Sequence, residues 1–306
     1  MQTTVRSSIL FKGVGLHSGN HVRMVVLPAS ANYGIWFRRT DVVGRDAMVP
    51  ALWNAVKPSR LCTIVENGAG VSVQTVEHIL AALAGCGVHN ALIEIDGPEV
   101  PILDGSAKPF VQAILGRGLR DLDANVRCFE VLQAVEVREG DAVARLEPAA
   151  ALEIEFAIDF ADAAIGQQYK HLSMANGAFV RELSDCRTFC RQADVETMRA
   201  NGMALGGSYD NAVVVEGERI LSPGGFRRKD EAVRHKMLDA LGDLALAGAP
   251  ILGRYSGNRA GHAMTNKLLR ALFANPAAFR IVECDDQRRA ALPGANLHAE
   301  DIPAVA

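Results

Sequence analysis

Two amphipathic helical stretches, one in each half of the chain, constrain the fold more than any other feature. In residues 75–84 the apolar side chains Val76, Ile79, Leu80 and Leu83 follow the i, i+3, i+4, i+7 spacing of one buried helix face. Thr75 reads as the N-cap of this helix, and Gly85 or Gly87 as its stop. The second helix runs over about 229–247, with Val233, Met237, Leu238, Leu241, Leu244 and Ala245 as its stripe and Gly248 and Pro250 ending it. Strand-like runs at 91–95, 129–137, 152–158 and 211–215 surround the helices, most of them bounded by Gly, Asp or Pro. Their order lacks the regular strand–helix repeat of a doubly wound sheet, so the expected class is α+β. The polar stretch 120–125 reads as a linker. It divides the chain into a first domain, 1–124, and a second, 125–306, both of ordinary domain size. One strong helix in each half hints at duplication, although no residue-level repeat is visible.

Composition narrows the function classes. Hydrophobic residues make up 49% and charged residues 22% of the 306, enough apolar material for a real core. A net charge of −3 argues against a dedicated nucleic-acid binder, which would carry a basic stripe. No run approaches the roughly 18 apolar residues of a membrane span, so no stable membrane insertion is expected. Ile9, Leu10 and Phe11 are too short a run for a signal-peptide core. The six cysteines at 62, 86, 128, 186, 190 and 284 contain no CxxC pair, and read as reduced thiols of a cytoplasmic protein.

The residues able to do chemistry sit on the helices. His235 and Asp239 are four apart, so both project from one helix face, and Asp243 continues that face. A His-x-x-x-Asp pair can give two ligands to one Zn²⁺, and the same spacing suits an exposed ion pair. Glu77 and His78 fall in the first turn of the other helix, where a carboxylate is favoured. His78 as a ligand with Glu77 reaching a water is one reading; a helix-start acid beside a surface His is the other. His262, between Gly261 and Ala263 and ahead of a third helical pattern over 266–273, fits a general acid or a capping residue. Residues 13–19 and 206–208 are glycine-rich, but lack the fingerprints of dinucleotide or P-loop sites and read as turns.

Seven collinear segments add a resemblance: GVGLHSG (13–19), TVEHILAALAGCGVHN (75–90), PEVPILDGSAKPF (98–110), CRTF (186–189), LGGSYDNAVVV (205–215), AVRHKMLDALGDL (232–244) and GHAMTNKLLRAL (261–272). In this order they resemble the UDP-3-O-acyl-N-acetylglucosamine deacetylases, zinc amidases of the committed step of lipid A biosynthesis. The resemblance implies two similar domains, each layering helices on a β-sheet, with the active site between them and a small insert in each. It implies Zn²⁺, with Fe²⁺ the alternative, held by His78, His235 and Asp239 with a fourth position open. Glu77 would be the general base, His262 the general acid and Asp243 its partner, and Thr188 would meet the oxyanion. Lys236, Phe189 and Leu16 would contact the substrate, a UDP-acyl-glucosamine acted on by a monomer without nucleic-acid partners.

The second insert, about 190–217, would form an apolar passage for the acyl chain. Within it, 194–201 reads as a short helix stopped by Gly202, with Val195 and Met198 on one side, and Met203, Ala204 and Leu205 follow as a strand. With Phe189 these residues either line a passage or anchor the insert; the resemblance favours lining. One departure stands out: Cys190 follows Arg-Thr-Phe where the family pattern has Gly. An amidase for a different N-acetyl sugar, and a non-catalytic protein binding a metal or a sugar nucleotide, are the alternatives. The apolar insert argues against the first, and Glu77 with His262 against the second.

Overall fold

A computed structural model describes residues 1–59 and 61–304. The first half contributes β1 (Gln2–Val5), β2 (Ile9–Val14), β3 (His21–Pro28), β4 (Ile35–Arg39), β5 (Met48–Pro50), β6 (Val56–Lys57), β7 (Ile64–Glu66), β8 (Ser72–Gln74), α1 (Glu77–Gly85), β9 (Ala91–Ile95), α2 (Lys108–Arg117) and β10 (Leu119–Leu122). The second contributes β11 (Arg127–Val131), β12 (Val135–Glu139), β13 (Ala142–Glu147), β14 (Leu152–Asp159), β15 (Gln167–Ser173), α3 (Ala178–Glu182), β16 (Phe189–Arg191), α4 (Gln192–Ala200), β17 (Val213–Glu216), β18 (Arg219–Ile220), α5 (Glu231–Ala245), β19 (Ile251–Asn258), α6 (His262–Phe273), β20 (Phe279–Glu283) and α7 (Asp286–Ala290).

The duplication lies in the strand pairing. In the first half the sheet order is β2-β3-β9-β4-β5, with β9 antiparallel to β3 and parallel to β4. In the second, β12-β13-β19-β14-β15 repeats the pattern, with β19 antiparallel to β13 and parallel to β14. In each half one helix precedes the central strand (α1, α5) and one follows it (α2, α6). Strand β14 alternates buried and half-buried side chains along its length, as does β9, so each sheet turns one face to the core. Such a pattern survives wholesale replacement of side chains, which is why the repeat is invisible residue by residue.

Helices α1 and α5 pack against each other and join the halves into one contiguous core. Gly242 makes the closest approach: a Cβ there would lie 2.1 Å from the Glu77 carbonyl oxygen. Two small additions flank the helices, the sheet β6-β7-β8 and the sheet β16-β17-β18 with α4.

The structure departs from the sequence reading at several points. Thr75 is not the N-cap of α1: Val76 is, and the Thr75 hydroxyl donates to Glu99 Oε1 at 2.9 Å instead. At the other end Gly87, at φ +76°, lets the Gly87 and Val88 amides close on the carbonyls of Ala84 and Leu83. Residues 120–125 are not a free linker, because 119–122 pair with β1 through half-buried Leu119 and Leu122. The run 129–137 splits into β11 and β12, since Leu132 breaks away to bond Ala278. Helix α6 begins at His262, four residues before the expected pattern. Residues 203–205 are not a strand; their loop turns through Ala204 at φ +53°.

The six thiols are not all free. Cys128 and Cys284 are paired as a disulfide, with Cα atoms 6.6 Å apart. The β11/β20 register sets Cys128 opposite Val282, which leaves Cys284 as its diagonal neighbour on the same face. Among the described residues no helix is long and apolar enough to cross a membrane.

A candidate metal centre and cleft between the halves

The N-terminus of α1 and the middle of α5 bring together three ligand-type side chains. One ligand atom each from His78, His235 and Asp239 lies within 4.8 Å of the others. His235 Nε2 is 3.3 Å and His78 Nε2 3.7 Å from Asp239 Oδ1. All three residues are buried, so the i, i+4 pair on α5 is not a solvated surface ion pair. His235 Nδ1 donates to the Cys186 carbonyl at 3.0 Å, which fixes the tautomer and leaves the Nε2 lone pair facing the set.

Electrostatics suit a cation here. Burial, reinforced by His235, pushes His78 down to about 3, and burial also lowers His235, so both imidazoles stay neutral and their lone pairs available. Burial opposes ionisation of Asp239, but His235 and Lys236 outweigh it and hold the carboxyl below the usual range. Two neutral imidazoles and a carboxylate fit a divalent transition metal with an open position.

A second group of residues surrounds this set. Burial, with help from Asp243 and Asp239, raises Glu77 to about 7. Its Oε1 is 3.7 Å from His262 Nε2. Burial disfavours a charged His262, yet Asp243 and Glu77 overcome it and raise the imidazole to about 9. His262 Nδ1 donates to Asp243 Oδ2 at 2.8 Å. Lys236 Nζ donates to Asp239 Oδ2 at 3.0 Å, where Asp239 raises its pKa against the effect of burial.

The sequence candidates converge on one cleft of about 980 Å³. Leu16, Glu77, His78, Thr188, Phe189, Val195, Met198, Ala204, His235, Lys236, Asp239 and His262 all line it, and Asp243 stands behind His262. Thr188 is held by its backbone, its amide donating to Gly105 at 2.8 Å and its carbonyl accepting from Val213 at 2.8 Å. The Phe189 ring meets Phe160 and His235 edge-on. Helix α4 leans over the cleft with Val195 and Met198 half-buried. The loop after α4 docks on the 13–19 turn, where Leu205 and Gly206 donate their amides to the carbonyls of His17 and Leu16. That docking replaces the expected strand at 203–205. A separate cavity of about 360 Å³ lies at the far ends of α1 and α5, lined among others by Leu83, His89 and Leu244.

Several residues at the site were passed over in the sequence. His17 is buried beside His262 and Glu99, and neither ring nitrogen has a hydrogen-bond partner among the described residues. The Glu99 carboxylate accepts the amides of His17 and Ser18, both at 2.8 Å. Thr63 and Phe160 also reach the site. His17 and Glu99 had a signal, since each lies in a matched segment, 13–19 and 98–110; Thr63 and Phe160 carry none in their local spacing.

Three ligand-type side chains that could hold one metal ion, with a carboxylate and an imidazole beside them, form the kind of arrangement a metallohydrolase uses. The family model described as UDP-3-O-acyl N-acetylglycosamine deacetylase matches residues 2–274, and the chain belongs to that family. A relative from Phenylobacterium zucineum is 51% identical over 280 residues, covering 92% of this chain and 96% of its own. Relatives from Pasteurella multocida (45% identical; 94% of each chain) and Haemophilus influenzae (44%; 94% of this chain and 95% of its own) are equally well covered. All three are named UDP-3-O-acyl-N-acetylglucosamine deacetylase.

Proposed function

We propose that this chain hydrolyses the 2-acetamido group of UDP-3-O-(3-hydroxyacyl)-N-acetylglucosamine and releases acetate. His78, His235 and Asp239 would hold Zn²⁺, with Fe²⁺ the alternative. When bound, the ion supplies Lewis-acid polarisation of the amide carbonyl and of the attacking water.

The observation that carries the reading is the placement of Glu77, buried, and His262, half-buried, 3.7 Å apart and beside the ligand set yet outside it. Glu77, raised to about 7, takes the proton of the attacking water near neutral pH. His262, raised to about 9, is protonated at that pH and delivers Nε2–H to the leaving amine. Asp243 keeps Nδ1 of the same ring occupied, which orients it. Thr188 donates its hydroxyl to the developing oxyanion. Lys236 meets the polar head of the substrate, and Phe189 packs on the sugar. The acyl chain runs between Leu16, Val195, Met198 and Ala204, whose apolar lining supports an acylated substrate over a bare N-acetyl sugar. We take the protein to act as a monomer and place its action in the cytoplasm. Acetate release from the acylated UDP-sugar, compared with UDP-N-acetylglucosamine, tests the reading. The acylated substrate turns over and the unacylated one barely does; equal rates on both would favour a plain sugar amidase.

A further inference from the structure

Thr63 lies immediately before β7, 3% exposed and outside the cleft lining. Three of its groups are engaged. Its amide donates to Glu77 Oε2 at 3.0 Å. Its hydroxyl donates to Asp243 Oδ1 at 2.5 Å. Its carbonyl accepts the amide of Val76, the residue that opens α1, at 3.4 Å. The remaining carboxylate oxygens of the two acids both address His262: Glu77 Oε1 stands 3.7 Å from Nε2, and Asp243 Oδ2 takes Nδ1–H at 2.8 Å. The contacts close a ring from Thr63 through Glu77, His262 and Asp243 back to Thr63.

We propose that Thr63 is the positioning residue that sets both proton-transfer groups from a single point. Its amide ties down Oε2 of Glu77, so that Oε1 is the oxygen presented to the reacting centre. Its hydroxyl ties down Oδ1 of Asp243, so that the carboxylate cannot rotate away from His262. The two anchors come from the residue that leads into the short strand β7, yet one reaches α1 and the other α5, and so the residue also sets the spacing of base and acid across the junction. A buried hydroxyl–carboxylate bond is charge-assisted and short, and losing it strands one carboxylate oxygen without a donor. The inference rests on the base and acid roles given above for Glu77 and His262. Because Thr63 neither lines the cleft nor belongs to the ligand set, its loss acts on turnover and leaves substrate and metal binding alone.

The experiment compares Thr63→Val, which keeps the shape and the amide but loses the hydroxyl, with Thr63→Ser, which keeps the hydroxyl, in the zinc-loaded protein. Thr63→Val lowers kcat about 10- to 100-fold with KM within about twofold and zinc content unchanged, and Thr63→Ser recovers most of the loss. In an Asp243→Asn background the same Thr63→Val change costs little more, because the hydroxyl acts through Asp243. Thr63→Ala serves as the hydroxyl-less variant if Val disrupts folding. A readout independent of turnover is the downfield proton resonance of His262 Nδ1–H, which shifts or broadens in Thr63→Val and is retained in Thr63→Ser. Wild-type kcat in Thr63→Val, a Ser variant as impaired as Val, or losses that add fully with Asp243→Asn would each overturn the proposal. If the wild type releases no acetate, the proposed function fails instead, and the resonance alone still decides for or against Thr63.

Discussion

The floor and the roof of the cleft are held by different physics. At the floor Glu77, His78, His235, Asp239 and Asp243 are each at most 5% exposed, and they meet across the packed helices α1 and α5. At the roof α4 has no fully buried residue. It is held by the loop that docks on the 13–19 turn and by pairs such as Arg191 with Asp162, 2.5 Å apart. A buried charge without its partner is costly, so the floor is a unit in which one loss is felt by all. A half-buried apolar wall tolerates change and grades its effect. Under the proposed function, the floor would decide whether the reaction occurs, and the roof would decide on what.

Mutations at the two ends test that division, beginning with the ligands. His235→Ala or Asp239→Ala empties most of the metal site and abolishes nearly all acetate release while the protein stays folded, as metal analysis and circular dichroism would show. Glu77→Ala and His262→Ala come next, each losing about 10²–10⁴ in rate with metal retained. The pH profile of kcat/KM separates them. Glu77 must be deprotonated to act as base, so activity rises through about pH 7. His262 must be protonated to act as acid, so activity falls through about pH 9. Glu77→Ala flattens the acidic limb and His262→Ala the basic one; an unchanged basic limb in the latter would remove His262 from its role.

Smaller effects sharpen the contrast. Gly242→Ala drives a Cβ toward the Glu77 carbonyl, 2.1 Å away, and pushes α1 from α5. It costs about 1–3 kcal/mol in denaturant unfolding, the usual range for overpacking a core. Val195→Trp, at the roof, changes stability by only about 0.5 kcal/mol or less. Its signature is in the substrate series: wild-type kcat/KM climbs by up to about 0.8 kcal/mol per methylene and then levels off, and the Trp variant penalises long chains most. A flat wild-type series would leave the roof without its assigned role.

The same division explains how much was legible in the sequence. The α+β class, both main helices and the short roof helix could be read because apolar periodicity is local. His235 and Asp239 could be placed on one face by their spacing, but spacing did not separate a ligand pair from a surface ion pair; burial in the folded chain excludes the solvated surface pair. The roles of Glu77, His78 and His262 came from the resemblance, because their meeting depends on pairs as far apart as 185 residues, as for Glu77 and His262. Thr75 misled because Glu99, 24 positions away, takes the hydroxyl that local rules assign to a cap. The loop at 203–205 misled because its amides satisfy a distant turn and not a neighbouring strand. The paired cysteines 128 and 284 depend on the β11/β20 register, across 156 positions.

Metal-dependent deacetylation is decided by acetate release from UDP-3-O-(3-hydroxyacyl)-N-acetylglucosamine by one preparation in three states: as purified, stripped of metal by a chelator, and restored with one equivalent of Zn²⁺. One acetate is released per substrate consumed, nearly all turnover is lost on stripping, and it returns with Zn²⁺ in the wild type but not in Asp239→Ala. Full turnover in the stripped protein, or a restored protein that leaves the acetamido group intact, would contradict metal-dependent deacetylation.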